Sequence, residues 1–125
     1  MAKAPKITGQ PGFTVTSGEL HKDSWIGAAA ELRITPEGEA RTIRVTLWNP
    51  YYNRAYLNNQ VEVTLDGRNV FSDKLHPARS ATIEYVLAAG EPLDIGVTSE
   101  AVMVPDPLDP RERGIIVKLA QEPVK

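Results

Sequence analysis

Apolar and polar side chains alternate through most of this chain, and that period of two restricts its fold more than any other feature. Between Arg41 and Trp48, Ile43, Val45 and Leu47 fall on one side, and Thr42, Arg44, Thr46 and Trp48 on the other. From Gln60 to Asp66, Val61, Val63 and Leu65 alternate with Glu62 and Thr64. Ile83, Tyr85 and Leu87 continue the pattern, then Leu93, Ile95 and Val97, then Ile115, Val117 and Leu119. Shorter runs occur at Phe13 and Val15, at Leu32 and Ile34, and at Val70 and Phe71. Successive side chains of an extended strand point to opposite faces, so each run reads as a strand with one buried and one wet face. The expectation is an all-β chain: an antiparallel β-sandwich of about eight strands, jelly-roll-like.

Turn chemistry separates the runs. Pro36-Glu37-Gly38 and Ala89-Gly90-Glu91-Pro92 punctuate two junctions, and Asp66-Gly67 between Leu65 and Val70 is a hairpin signal. Three prolines within residues 105–110 forbid a regular ladder there. The stretch from Gly27 to Leu32, with Ala28, Ala29 and Ala30, also hints at a single helical turn. We read residues 11–121 as one sandwich domain, with residues 1–10 and 122–125 as flexible termini.

Composition limits the function classes. The 125 residues suit one domain, and 42% hydrophobic with 24% charged residues is ordinary globular content. Fourteen basic side chains against sixteen acidic ones give a net charge of −2, without the basic face that phosphate backbones require, so no nucleic-acid partner is expected. No apolar run approaches the roughly 18 residues of a membrane span, so no membrane partner is expected either. Cysteine is absent and the first ten residues carry no signal-like apolar run, which gives a cytoplasmic expectation.

Catalytic chemistry finds no foothold. Nucleophilic catalysis needs a nucleophile, a base and an orienting group. Here there is no cysteine and no nucleophile elbow, and the two histidines, His21 and His76, lack a chelating spacing. Asp66, Asn69 and Asp73 come nearest to an oxygen cluster for Ca²⁺. We expect no enzyme activity, no metal and no cofactor.

Binding is better served. Trp48, Tyr51, Tyr52, Asn53, Arg54 and Tyr56 crowd into nine residues, and Trp48 holds the wet parity of its strand. Aromatic faces stack on the apolar C–H patches of sugars while Asn and Arg reach hydroxyls. The same group suits a protein contact, or aromatics folded back to plug one end of the sandwich. Trp25 reads as covering the core or its edge, and Ile116 and Val86 fall on outward parities, which favours an interface.

Three segments resemble a family of small β-sandwich domains found beside bacterial glycosyltransferases and other glycan-assembly proteins. The opening holds Gly12-Phe13, Glu19, Trp25 and Ala30-Glu31-Leu32; the hairpin is Val61-Glu62-Val63-Thr64-Leu65-Asp66-Gly67. The closing segment is Val104-Pro105, then Asp109-Pro110-Arg111-Glu112-Arg113-Gly114 and the strand from Ile115 to Leu119, with Arg113 where the family usually has an aliphatic residue. The resemblance implies a non-catalytic binding or accessory module that contacts carbohydrate or holds a glycan-assembly partner protein. The alternative is a structural protein whose sandwich mediates self-assembly or docking, with a possible homo-oligomer. Independently of the family, Asp109 and Arg111 are expected to form a charge-assisted latch on the proline loop, because a guanidinium fork can bind both carboxylate oxygens.

Overall fold

The structure, a computed structural model, describes residues 8–49, 59–76, 79–100, 107 and 113–124. Among these residues it has eight strands: β1 (Phe13–Leu20), β2 (Ile26–Ile34), β3 (Arg41–Asn49), β4 (Asn59–Leu65), β5 (Arg68–Leu75), β6 (Arg79–Leu87), β7 (Leu93–Ser99) and β8 (Ile116–Pro123). They form two antiparallel sheets, one ordered β1-β2-β7-β4-β5 and the other β6-β3-β8. The all-β sandwich expected from the alternation is what forms.

The inward-facing set is the apolar half of each alternating run. Ile43, Val45 and Leu47 of β3 meet Val61, Val63 and Leu65 of β4, Ile95 and Val97 of β7, and Leu32 and Ile34 of β2 in one buried cluster. Fully burying a side chain of this kind is worth about 1.5–3 kcal/mol. The five-stranded sheet is wider than its partner. Consequently Val15 of β1, on the inward side opposite Leu32, stays exposed.

The alanine run is strand, not helix. Residues 26–34 pair with β1 on one side and β7 on the other, and Ile26, Ala30, Leu32 and Ile34 are buried. Burial across two ladders overrides the local helix preference of alanine, which a short isolated segment cannot express. Asp66 and Gly67 both adopt positive φ, 51° and 81°, which closes β4 onto β5 in the two-residue turn that the sequence indicates. Asp66 also accepts the Asp94 N–H at 2.9 Å, while Asp73 accepts the N–H of Lys74 near the opposite end of β5. These carboxylates with Asn69 therefore do not converge, and no metal-binding group of His, Asp and Glu occurs among the described residues. The ladder continues past residue 121 to Pro123, and Gly9 bridges to Gln121.

The register sorts the connections between the two ends of the sandwich. Trp48 pairs with Ile116, Asn49 with Arg79, Asn59 with Leu75 and Val61 with Ser99, and Trp25 bridges to Ile116. The 21–25, 50–58, 76–78 and 100–115 connections thus start and finish at one end. The opposite end carries the other turns and one buried cation. Arg41 is 1% exposed, donates to the Thr35 carbonyl and pairs with Glu37 at 3.0 Å. That ion pair keeps a charged group tolerable inside the sandwich rim.

Candidate functional site

The outer face of the β6-β3-β8 sheet is a grid of four rows read straight from the register. Ser80, Trp48 and Ile116 make the first row, and Thr82, Thr46 and Lys118 the second. Glu84, Arg44 and Ala120 make the third, and Val86, Thr42 and Glu122 the fourth. Trp48 is 42% exposed, as its parity predicts. It forms one wall of a depression of about 260 Å³ whose other walls are Thr46, Ser80, Ile116 and Lys118. An indole, a half-buried isoleucine, two hydroxyls and an ammonium therefore converge on one open surface.

Arg44, two rows from Trp48 on the same face of β3, is already engaged. It donates to Glu122 and lies 3.6 Å from Glu84. The hydrogen bond to Glu122 is the main reason its guanidinium is held above its ordinary pKa, with the two carboxylate charges adding to it. Val86 and Ile116 occupy opposite corners of the grid, with polar rows between them, so they do not make one flat apolar patch.

Of the residues singled out in the sequence, Tyr51, Tyr52, Asn53, Arg54 and Tyr56 lie outside the described residues, as do Asp109 and Arg111 of the latch. What flanks those segments is described. Asn49 and Asn59, on either side of 50–58, are buried: Asn49 Nδ2 donates to the Leu75 carbonyl at 2.8 Å, and Asn59 Nδ2 to Ser99 Oγ at 2.9 Å. These two asparagines are structural anchors, not free hydrogen-bonding groups. Trp25 is half-buried and bridges to Ile116, so it covers the β8 edge. Ser80 and Lys118 were missed by sequence reasoning. Nothing local marks them, and only the pairing of β3 with β6 and β8 brings them beside Trp48.

The opposite outer face is more polar. There Arg33 grips Asp94 through two hydrogen bonds, 2.8 and 3.1 Å. The bond from Arg33 is the main cause that holds the Asp94 carboxyl below its ordinary value of 3.8. A carboxylate with a depressed folded pKa stabilises the fold above its unfolded pKa and loses that contribution as pH falls through the folded one. Asp94→Asn is therefore expected to flatten slightly the loss of melting temperature below about pH 4. Both partners are exposed, so the difference should vanish in about 0.5 M salt. Thermal melts from pH 2 to 6 at two salt concentrations check it.

The aromatic-bearing depression thus lies on the smaller sheet of an antiparallel sandwich. Solved structures with a similar fold include the CBM35 module of Abf62 from Cellvibrio japonicus, at 14% identity and TM-score 0.50, over 95% of this chain and 92% of that one. A family 35 carbohydrate binding module from Clostridium thermocellum matches at 14% identity and TM-score 0.45, over 94% and 97%. An exo-β-1,3-galactanase from Phanerochaete chrysosporium matches at 12% identity and TM-score 0.47, over 90% of this chain but 26% of the galactanase. The likeness is one of fold. No protein-family model and no curated protein matches the sequence.

Proposed function

We propose that this domain is a non-catalytic carbohydrate-binding module whose ligand lies on the outer face of β6-β3-β8, stacked on Trp48. The exposed indole at the wall of the depression carries the reading. A pyranose ring presents an apolar C–H face, which the indole covers, and a rim of hydroxyls, which Thr46, Ser80 and Lys118 can reach. The depression is smaller than the roughly 300–1,000 Å³ pockets that enclose drug-sized molecules, as suits an open surface contact of modest affinity. The shared fold with a carbohydrate-binding module supports the same reading. The reading extends to a cytoplasmic position beside a bacterial glycosyltransferase or other glycan-assembly protein, on the resemblance of the opening, hairpin and closing segments.

The test is a glycan array followed by calorimetric titration of the best hit, with wild type and Trp48→Ala side by side. Binding should fall at least about tenfold, a loss of about 1.4 kcal/mol, with circular dichroism checking that the variant keeps the wild-type fold. An unchanged binding profile in the variant would remove this face as the sugar site.

A further inference from the structure

We infer that β6 is the docking edge for a second copy of this chain, which adds antiparallel to it and joins two three-stranded sheets into one of six strands. Among the described residues, the strands at the sheet edges are β1, β5, β6 and β8. An edge presents unpaired N–H and C=O groups, and proteins blunt such edges by bulges, charges or a covering segment. Strand β1 has two register shifts, and β5 carries one in its pairing with β4 and bears Arg68, Asp73 and Lys74. Strand β8 is covered by the chain itself: Gln121 N–H donates to Gly9, Val117 N–H to Ser24, and Ile26 N–H to Ile115.

Strand β6 has neither a bulge nor a hydrogen-bonded cover among the described residues, and its charged side chains are Arg79 and Glu84. It pairs with β3 in unbroken register over all nine residues from Arg79 to Leu87, with no proline and no glycine. Among the described residues, no backbone hydrogen bond reaches residues 80–87 from outside the sheet. Apolar groups flank the open edge on both faces: Val86 is 60% exposed, Tyr85 38%, and Ile83 is half-buried.

The occupant is written in the strand's own sequence. Pairing β6 with itself about Ile83 uses all nine residues and keeps each face continuous. It sets large against small at successive positions: Tyr85 opposite Ala81, Val86 opposite Ser80, Glu84 opposite Thr82. Shifting the centre to Glu84 would place two like charges face to face, which is destabilising. A nine-residue strand is about 30 Å long, and a contact of that length along one sandwich edge is smaller than the roughly 1,200–2,000 Å² of a stable interface. The dimer is accordingly a concentration-dependent one. Its two Trp48 faces would lie on the same side of the joined sheet, so a ligand long enough to span them would gain by avidity.

Sedimentation velocity on the full chain between about 10 µM and about 1 mM reads the association directly. Wild type should shift from monomer toward dimer across that range. Thr82→Glu sets a second carboxylate opposite Glu84 of the other copy and should weaken association at least about tenfold. Thr82→Lys, opposite the same carboxylate, should hold or tighten it. Thr82 is exposed, so circular dichroism should confirm that both variants fold. Because the chain has no cysteine, Ile83→Cys adds a single thiol near the two-fold axis, and mild oxidation should give a covalent dimer that Val15→Cys on β1 does not. A wild type that stays monomeric to about 1 mM would overturn the inference. A dimer indifferent to Thr82→Glu would also overturn it, since the contact would then lie elsewhere.

Discussion

Leu47→Ala is expected to cost the domain about 2–5 kcal/mol and to lower its melting temperature by roughly 10–20 °C. Leu47 is fully buried on β3, the middle strand of the three-stranded sheet, which is held by ladders on both sides, opposite Ala81 of β6 and Val117 of β8. Those ladders keep the surrounding backbone from collapsing into the space, so the lost contacts come on top of a residual cavity. Thr46→Ala, one position away on the wet face, should change stability by less than about 1 kcal/mol. Paired denaturant titrations measure both. Similar losses from the two substitutions would mean that the faces are assigned wrongly.

Gly114→Ala is expected to be nearly as damaging, although it adds only a methyl group. A Cβ there would sit 2.3 Å from the Gly27 carbonyl oxygen and 2.9 Å from Ser99 Cβ. The Gly27 peptide cannot retreat, because the adjoining Ile26 N–H and C=O are both bonded to this segment, to Ile115 at 3.0 Å and from Gly114 at 2.7 Å. Overpacking of this kind typically costs 1–3 kcal/mol, and a backbone obstacle puts the expectation at about 3 kcal/mol or more. Adding Ser99→Gly relieves the side-chain contact alone, so it should recover only a minor part. Full rescue by that second change would show that the carbonyl is not the obstacle.

The parts of the fold that were legible in the sequence are those where one face is buried and the other is wet. Strands β3, β4 and β7 show their alternation directly, because they lie inside the sheets and their burial alternates without a break. Strand β5 was visible only as Val70 and Phe71. Its outer position leaves most of its side chains in water whichever way they point, so no alternation is selected. The alanine run misled for a related reason: its local preference is helical, and the two ladders that hold it straight are made by distant residues. For the candidate site, the outward aim of Trp48 follows from parity alone. Ser80 and Lys118 lie 32 and 70 positions further along the chain, and only strand pairing makes them neighbours. The burial of Asn49 and Asn59 could not be read from their type, since asparagine is usually a surface residue.

The two asparagines and Ser99 have a consequence for how such a domain can diversify. They tie together the strand ends that flank residues 50–58 and 101–112, Asn49 to the Leu75 carbonyl and Asn59 to Ser99. In the course of divergence these three positions are therefore expected to change least, because losing any of them strips a buried polar partner of a hydrogen bond.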